Sequence, residues 1–208
     1  MKVFRDWKFQ DITYKFGVQR AFNHPLLEDW LSAEHLPSER EKFTIEELRE
    51  ELLYTIDTLN EEELKVYFIG PFIRLIPFRK DGRRPFLDRT MSFEYEEGKL
   101  TSGRVDWMLA EGIQDPQQPY FFLHEYKKEL DASGDPLGQL LIAMVGARIQ
   151  NEFNFPLLGC YLTGRSWFFV IYDGEVYSVS KAFDATDQDI FKIYSILKEA
   201  AFRIEQLA

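Results

Sequence analysis

Cysteine is almost missing from this chain, which contains a single one, Cys160. A lone cysteine cannot form an internal disulfide, so a fold that depends on such bridges is excluded. Cys160 lies in the apolar stretch 156–161, where a small buried hydrophobic side chain is a better interpretation than a nucleophile. We therefore expect a reducing compartment, and the cytoplasm is the predicted location.

Long hydrophobic runs are also missing. The first eight residues mix charged and aromatic side chains, unlike the apolar segment of a secretory signal. No later run approaches the ~18 uncharged residues of a membrane span. The sequence therefore predicts neither export nor membrane insertion, but a soluble intracellular protein.

Positive charge is scarce, with 25 Lys and Arg against 35 Asp and Glu and a net charge of −10. This balance argues against a protein that coats nucleic acid through a broad basic surface. The segment 74–104 departs from it, since it carries eight basic and five acidic residues. A polyanion would be tolerated there, and an ordinary solvated loop explains the same charges equally well.

Apolar side chains, in contrast, are plentiful: 45% of the 208 residues are hydrophobic and 16% are aromatic. A chain of this length and composition can bury one sizeable core. It contains no internal repeat, low-complexity tract or linker. We predict a helical and irregular N-terminal embellishment over residues 1–58 and the main domain over residues 59–208.

Hydrophobic periodicity and capping signals predict the order helix, three strands, helix, three strands, helix. Thr44 and Glu47 have the spacing of a capping box, which predicts a helix from there to about Asp57. Asn60 caps a second helix that Pro71 must kink or restart, and a loop over 80–85 follows. The remaining predicted elements are strands at 91–95, 104–109 and 120–126, a helix at 135–151, strands at 157–162, 167–172 and 176–179, and a terminal helix from 186. This order is typical of an α/β sandwich around one mixed sheet.

Asp106, Glu125 and Lys127 are the candidate chemical residues. If the apolar runs 104–109 and 120–126 form a hairpin, Asp106 lies opposite residues 123–125, with side chains ~5 Å apart if they share a face. Strand alternation places Glu125 and Lys127 on one face and His124 and Tyr126 on the other. Two acids and an amine are therefore expected to meet in one pocket.

Such a pocket needs a cation to offset the repulsion between its carboxylates. Two carboxylates ~4 Å apart repel each other by about 4 kcal/mol at an effective dielectric near 20. Carboxylate oxygens suit Mg²⁺ or Mn²⁺, and the three scattered histidines form no zinc cluster. With Glu61 as a third acid, one divalent ion and Lys127 give a neutral site suited to phosphodiester cleavage. The alternative for Lys127 is a lysine that snorkels at a strand end.

Asp106 followed by Glu125-Tyr126-Lys127 on adjacent apolar strands resembles the PD-(D/E)XK nuclease superfamily. Segment 60–71 looks like the acidic first helix of the nuclease module in type I restriction endonuclease subunits. Segment 135–141 resembles the helix that follows the E-x-K strand in those modules and in their stand-alone bacterial relatives. The similarity covers roughly residues 60–200. It implies a restriction-endonuclease-like three-layer sandwich with a central mixed sheet flanked by helices.

The resemblance also implies a role for each site residue. Asp106 and Glu125 bind the metal, and Glu61, or alternatively Glu63, supports it. Lys127 stabilises the transition state. Gln139 orients the attacking water or contacts a phosphate, and its alternative role is to cap or bridge the first turns of its helix.

Our leading prediction is a Mg²⁺- or Mn²⁺-dependent nuclease that hydrolyses phosphodiester bonds in nucleic acid, with DNA favoured. The alternative is a catalytically weak nuclease-fold module that binds or regulates, which the acidic composition favours. A third interpretation is a structural partner subunit whose aromatic N-terminal region forms an interface. The sequence also allows a homodimer.

Overall fold

The fold consists of a nine-stranded mixed sheet and flanking helices in the residues that the structure, a computed structural model, describes: 2–80, 82–127, 135–151 and 154–207. The strands are β1 (Lys2–Val3), β2 (Gln19–Arg20), β3 (Arg83–Glu96), β4 (Lys99–Glu111), β5 (Gln117–Lys127), β6 (Leu157–Thr163), β7 (Ser166–Tyr172), β8 (Val176–Val179) and β9 (Phe183–Asp184). The α-helices are α1 (Phe9–Phe16), α2 (Pro25–Leu31), α3 (Glu39–Thr55), α4 (Glu61–Leu64), α5 (Gly70–Ile73), α6 (Pro136–Gln150) and α7 (Asp189–Glu205). A 3₁₀ turn (Phe4–Asp6) follows β1, and a π-helical turn (Lys65–Ile69) joins α4 to α5.

The sheet runs in the order β1-β4-β5-β6-β7-β8-β2, with β3 also paired to β4 and β9 to β7. Strands β3, β4 and β5 form an antiparallel meander, and β6, β7 and β8 form another. The two meanders join through β5 and β6, which are parallel and therefore need a crossover connection. Helix α6 lies in that connection. The predicted α/β class with a mixed sheet and flanking helices is confirmed.

Helix α6 packs against β3, β4, β5 and β6, while α1 and the 3₁₀ turn pack against α6. Its residues 138–147 are all buried, which explains why it is apolar throughout. Helix α7 contacts α2, α3 and β9, and α3 also contacts α5. Among the described residues, no helix is both long enough and apolar enough to cross a lipid bilayer.

The N-terminal segment contributes to the sheet and to the core. Strand β1 pairs with β4 and β2 pairs with β8, both in parallel. The indole of Trp7 donates to Thr101 Oγ1 at 3.0 Å, and the indole of Trp30 donates to the Ile196 carbonyl at 2.8 Å. One hydrophobic cluster includes buried side chains from both sides of residue 58. The division of the chain at this point stays a prediction.

Helix α3 begins earlier than the sequence predicts. Ser38 is its N-cap: Ser38 Oγ accepts from the Glu41 amide at 3.3 Å, and Glu41 Oε2 accepts from the Ser38 amide at 2.8 Å. Thr44 lies inside the helix, where its hydroxyl donates to the Arg40 carbonyl. The predicted start at Thr44 is therefore wrong, because a second capping box upstream forms instead.

Asn60 caps the next helical segment, as predicted. Asn60 Oδ1 accepts from the Glu63 amide at 2.9 Å, and Glu63 Oε2 accepts from the Asn60 amide at 2.8 Å. The interruption expected near Pro71 takes the form of the π turn, in which the Gly70 amide donates to the Lys65 carbonyl. Pro71 then lies at the start of α5, where its missing amide hydrogen costs little.

Two further boundaries differ from the prediction. Residues 80–85 are not a loop throughout, because β3 begins at Arg83, whose guanidinium donates to the Ile204 carbonyl at 2.6 Å. The terminal helix begins at Asp189, not near Thr186, whose hydroxyl donates instead to Asp184 Oδ1 at 2.6 Å. The first boundary coincides with a contact distant in sequence, and the second with a local turn that precedes the helix.

Gly103 on β4 allows the N-terminal turn to approach the sheet. A Cβ at this position would lie 2.3 Å from Cβ and Cγ of Phe4, which is buried. We expect Gly103→Ala to lower the free energy of unfolding by about 1–3 kcal/mol, the usual cost of overpacking, in a urea denaturation experiment. Ser102→Ala, one residue away, is the control and should stay within about 0.5 kcal/mol of the wild type. Equal stability of the two variants would show that Phe4 is not held against β4.

Candidate active site

All five residues singled out from the sequence line one cleft of about 1860 Å³: Glu61, Asp106, Glu125, Lys127 and Gln139. They come from the first residue of α4, from β4, from the end of β5 and from the first turn of α6. The structure therefore brings together the acids and the amine that the sequence leaves far apart. Their catalytic roles stay predictions.

The β4–β5 pair determines which side chains enter the cleft. Trp107 and His124 are partners across the two strands, and their rings lie 4.8 Å apart. Because side chains alternate along a strand, Asp106 and Glu125, each one residue away, share the opposite face. Beyond the Trp107–His124 pair, Asp106 Oδ2 accepts from the Tyr126 amide at 2.9 Å. The Asp106 carboxylate thus binds the neighbouring strand directly and is held beside Glu125.

Glu125 is the most deeply buried acid of the site, with only 3% of its surface exposed. Its Oε1 has no hydrogen-bond partner within the described part of the chain. Burial raises the pKa of the Glu125 carboxyl, the Asp106 carboxylate raises it further, and Lys127 opposes the shift. Without a cation, the protonated form of Glu125 is therefore favoured. A buried carboxyl with an unsatisfied oxygen is the kind of group that a metal ion or substrate satisfies.

Lys65 is a site residue that the sequence analysis missed. Its ammonium donates to Glu61 Oε1 at 3.0 Å, to Asp106 Oδ1 at 3.0 Å and to Glu62 Oε1 at 3.2 Å. Burial lowers the pKa of Lys65, but the Asp106 and Glu61 carboxylates outweigh it and raise the pKa overall. The spacing of four residues from Glu61 is the signal that would have predicted this contact.

Lys127 completes the charge balance of the cleft. Its ammonium lies 3.5 Å from Glu61 Oε2, and only 18% of its side chain is exposed. Two lysines thus face the carboxylates of Glu61 and Asp106, beside the buried Glu125. The neutral site expected from three acids, Lys127 and one divalent ion stays a prediction. Within the described ranges, no group of three or more His, Cys, Asp or Glu side chains is placed to hold a metal ion.

Gln139 is placed by the start of α6. Asp135 is the N-cap of this helix, and Asp135 Oδ1 accepts from the Gly138 amide at 2.9 Å. Gln139 is nearly buried, and its side-chain amide makes no hydrogen bond to another described residue. Asp135, and not Gln139, therefore caps this helix. The Gln139 amide lines the cleft instead.

Other candidate residues have structural roles. Glu63, the alternative to Glu61, accepts from the Asn60 amide in the cap of α4. His124 packs among aromatic rings on the opposite face of β5, and burial lowers its pKa to about 3. Cys160 is fully buried, as predicted, and burial raises the pKa of its thiol. Trp167 is also fully buried, and its ring lies 5.8 Å from that of Phe72.

A scan against protein-family models gives no match to this chain, and neither does a search of the curated proteins. Function is therefore inferred from the geometry of the cleft and from the charges of the residues that line it.

Proposed function

We propose that this chain hydrolyses phosphodiester bonds in nucleic acid with the help of a divalent metal ion, and that DNA is the favoured substrate. The observation that carries the proposal is the convergence of Asp106, Glu125 and Lys127 in one open cleft. A buried acid and a half-buried acid next to an amine are costly to maintain in a fold, and they are useful where charge develops on a phosphate.

Two neighbouring acids of the described cleft, Asp106 and Glu125, offer the carboxylate oxygens that suit Mg²⁺ or Mn²⁺. Asp106 and Glu125 would hold the ion, and the unsatisfied Oε1 of Glu125 offers a ligand atom that is bonded to nothing else in the described chain. Glu61 would support it from α4 once Lys65 has released its carboxylate. When bound, such an ion supplies Lewis-acid activation of water and neutralises charge on the reacting phosphate.

The chain's own residues supply the rest of the chemistry. Lys127 points an ammonium into the cleft beside Glu61 and would stabilise negative charge on the non-bridging phosphate oxygens. The Gln139 amide has both donor and acceptor atoms available and would orient the attacking water or bind a phosphate oxygen. The burial of Glu125 keeps bulk water away from its carboxyl.

The order of elements around the site agrees with this proposal. A capped helix carrying Glu61, the meander of β3, β4 and β5, the helix α6 and the parallel strand β6 follow one another along the chain. We take this arrangement to be a restriction-endonuclease-like three-layer sandwich. The resemblance of the sequence motifs to the PD-(D/E)XK superfamily supports that choice.

The experiment that tests the proposal incubates the purified chain with single-stranded DNA, duplex DNA and RNA in the presence of Mg²⁺ or Mn²⁺. We expect cleavage of at least one DNA form, complete inhibition by EDTA and recovery on adding back the metal ion. Products would be followed on denaturing gels. Intact substrates under all conditions, together with no metal binding by calorimetry, would contradict the proposal.

A second candidate function is a catalytically weak module that binds nucleic acid or regulates another protein. The position of Lys65 favours it, because an ammonium already lies between Glu61 and Asp106. Metal titration separates the two candidates. A binding module should show no metal-dependent cleavage, and replacing Asp106 or Lys127 in it should change only stability.

A further inference from the structure

Four arginines line the same cleft as the acidic residues. Arg5 lies in the 3₁₀ turn, Arg40 in the first turn of α3, Arg74 directly after α5, and Arg79 before β3. All four are exposed, and within the described residues none forms an ion pair or a side-chain hydrogen bond. Four separate parts of the fold therefore present an uncompensated guanidinium to one concave surface.

The other charged side chains of the cleft are largely compensated. Lys65 and Lys127 face Glu61, and Arg104 forms an ion pair with Asp88. Glu41 forms an ion pair with Lys198, and Glu62 accepts from Lys65. The described lining of the cleft carries seven basic and six acidic side chains, a net charge of +1, although the whole chain has a net charge of −10. Since the acidic remainder of the surface repels polyanions, the unpaired arginines of the cleft favour an anionic ligand there.

The shape of the cleft favours a polymer over a small anion. Its volume of about 1860 Å³ exceeds the ~300–1,000 Å³ typical of pockets that enclose small molecules. A guanidinium binds a phosphate through paired N–H donors, so arginines distributed over a groove suit a chain of phosphates. A mononucleotide would engage only part of this lining.

We infer that the cleft binds the phosphodiester backbone of a nucleic acid, with Arg5, Arg40, Arg74 and Arg79 neutralising phosphates other than the one at the acidic centre. This inference rests on the proposed function, because it names the residues that hold the substrate of that site. DNA and RNA share the backbone chemistry, and the two are separate arms of the test.

The test measures binding by fluorescence anisotropy in EDTA, where no cleavage takes place. The probes are labelled single-stranded DNA, duplex DNA and RNA of about 20 nucleotides, longer than a typical ~4–16 nucleotide single-strand site. The salt concentration is varied from about 50 to 200 mM. Two double variants are compared with the wild type, Arg74→Gln/Arg79→Gln and Arg5→Gln/Arg40→Gln.

A third double variant, Arg20→Gln/Lys181→Gln, is the matched control. Both of its residues are exposed and neither lines the cleft. It removes the same amount of charge as the two cleft variants. Thermal melting of all three should stay close to that of the wild type, since surface changes of this kind alter stability by about 0.5 kcal/mol or less.

We expect each cleft variant to bind its best probe on the order of tenfold more weakly than the wild type. The slope of log K against log[salt] should become less steep by about 1.4 for a single strand or about 1.8 for a duplex, because two phosphate contacts are lost. The control should bind like the wild type. Equal weakening by the control, unchanged binding by both cleft variants, or no binding by the wild type at about 50 mM salt would overturn the inference.

The inference and the proposed function can fail separately. Arginine-dependent binding without any cleavage in Mg²⁺ or Mn²⁺ would retain the inference and reject hydrolysis. Cleavage by the wild type with unchanged binding of the cleft variants would retain hydrolysis and reject these arginines as the phosphate contacts.

Discussion

Replacing Glu125 by glutamine is expected to lower turnover in the proposed phosphodiester hydrolysis by about 10²–10³-fold or more, the loss seen when one electrostatic group of an active site is removed. Glu125 is the buried acid with an oxygen that lacks a partner in the described chain, and glutamine keeps its shape while removing the carboxylate. Initial rates of cleavage in saturating Mn²⁺ measure the effect. Metal binding by calorimetry should weaken in parallel.

The control for this variant is Glu175→Gln, which makes the same chemical change at an exposed residue away from the cleft. It should cleave like the wild type. Thermal melting distinguishes a direct loss of activity from a loss caused by unfolding. Because burial and Asp106 raise the pKa of Glu125, its neutral form is favoured in the metal-free protein, and since glutamine is also neutral, metal-free Glu125→Gln should melt no lower than the wild type. If Glu125→Gln turned over substrate as fast as the wild type, Glu125 would have no role in the reaction.

Replacing Lys65 by methionine should tighten metal binding by about 10–100-fold, in the range that groups contacting metal ligands typically control. The Lys65 ammonium occupies oxygens of Glu61 and Asp106 that a divalent ion would need, so the ion must displace it. Methionine retains much of the aliphatic packing and cannot donate. Calorimetric titration of Mn²⁺ into the metal-free protein gives the affinity directly.

We also expect Lys65→Met to change the stability of the protein. Without Lys65, Glu61 and Asp106 lose their main counter-charge, so metal-free Lys65→Met should melt lower than the wild type and recover on adding Mn²⁺. Lys42→Met is the control, since Lys42 is exposed and forms no ion pair with any residue in the described ranges. An unchanged affinity for Mn²⁺ would show that Lys65 does not compete for the site.

The parts of the fold that short-range signals determine could be predicted. Asp135-Pro136 starts α6, Asn60 starts α4, and alternation assigns Glu125 and Lys127 to one face of β5. In each case the signal is a local hydrogen bond or the period of a strand. These features place four of the five predicted residues that line the cleft.

The missed features depend on partners distant in sequence. Nothing in the residues around Ser38 and Thr44 ranks one capping box over the other, because each offers a hydroxyl and, three residues later, a carboxylate. The polar start of β3 is a strand because it pairs with β4 and because Arg83 reaches the Ile204 carbonyl. The spacing of Lys65 from Glu61 indicates one ion pair, but its contact with Asp106 forms only because β4 lies beside α4. Local patterns contain no information about such contacts.

The π turn at Lys65–Ile69 holds one residue more than a regular α-helix needs for about the same rotation. Deleting one residue from this turn would therefore restore regular α-helical bonding and leave Glu61 at the cleft and the Phe68 and Phe72 rings together in the core. Adding a residue at α-helical geometry would instead rotate one end of the segment by about 100° relative to the other. Single-residue deletions within the turn should therefore be accepted, whereas insertions between Glu61 and Phe72 should not.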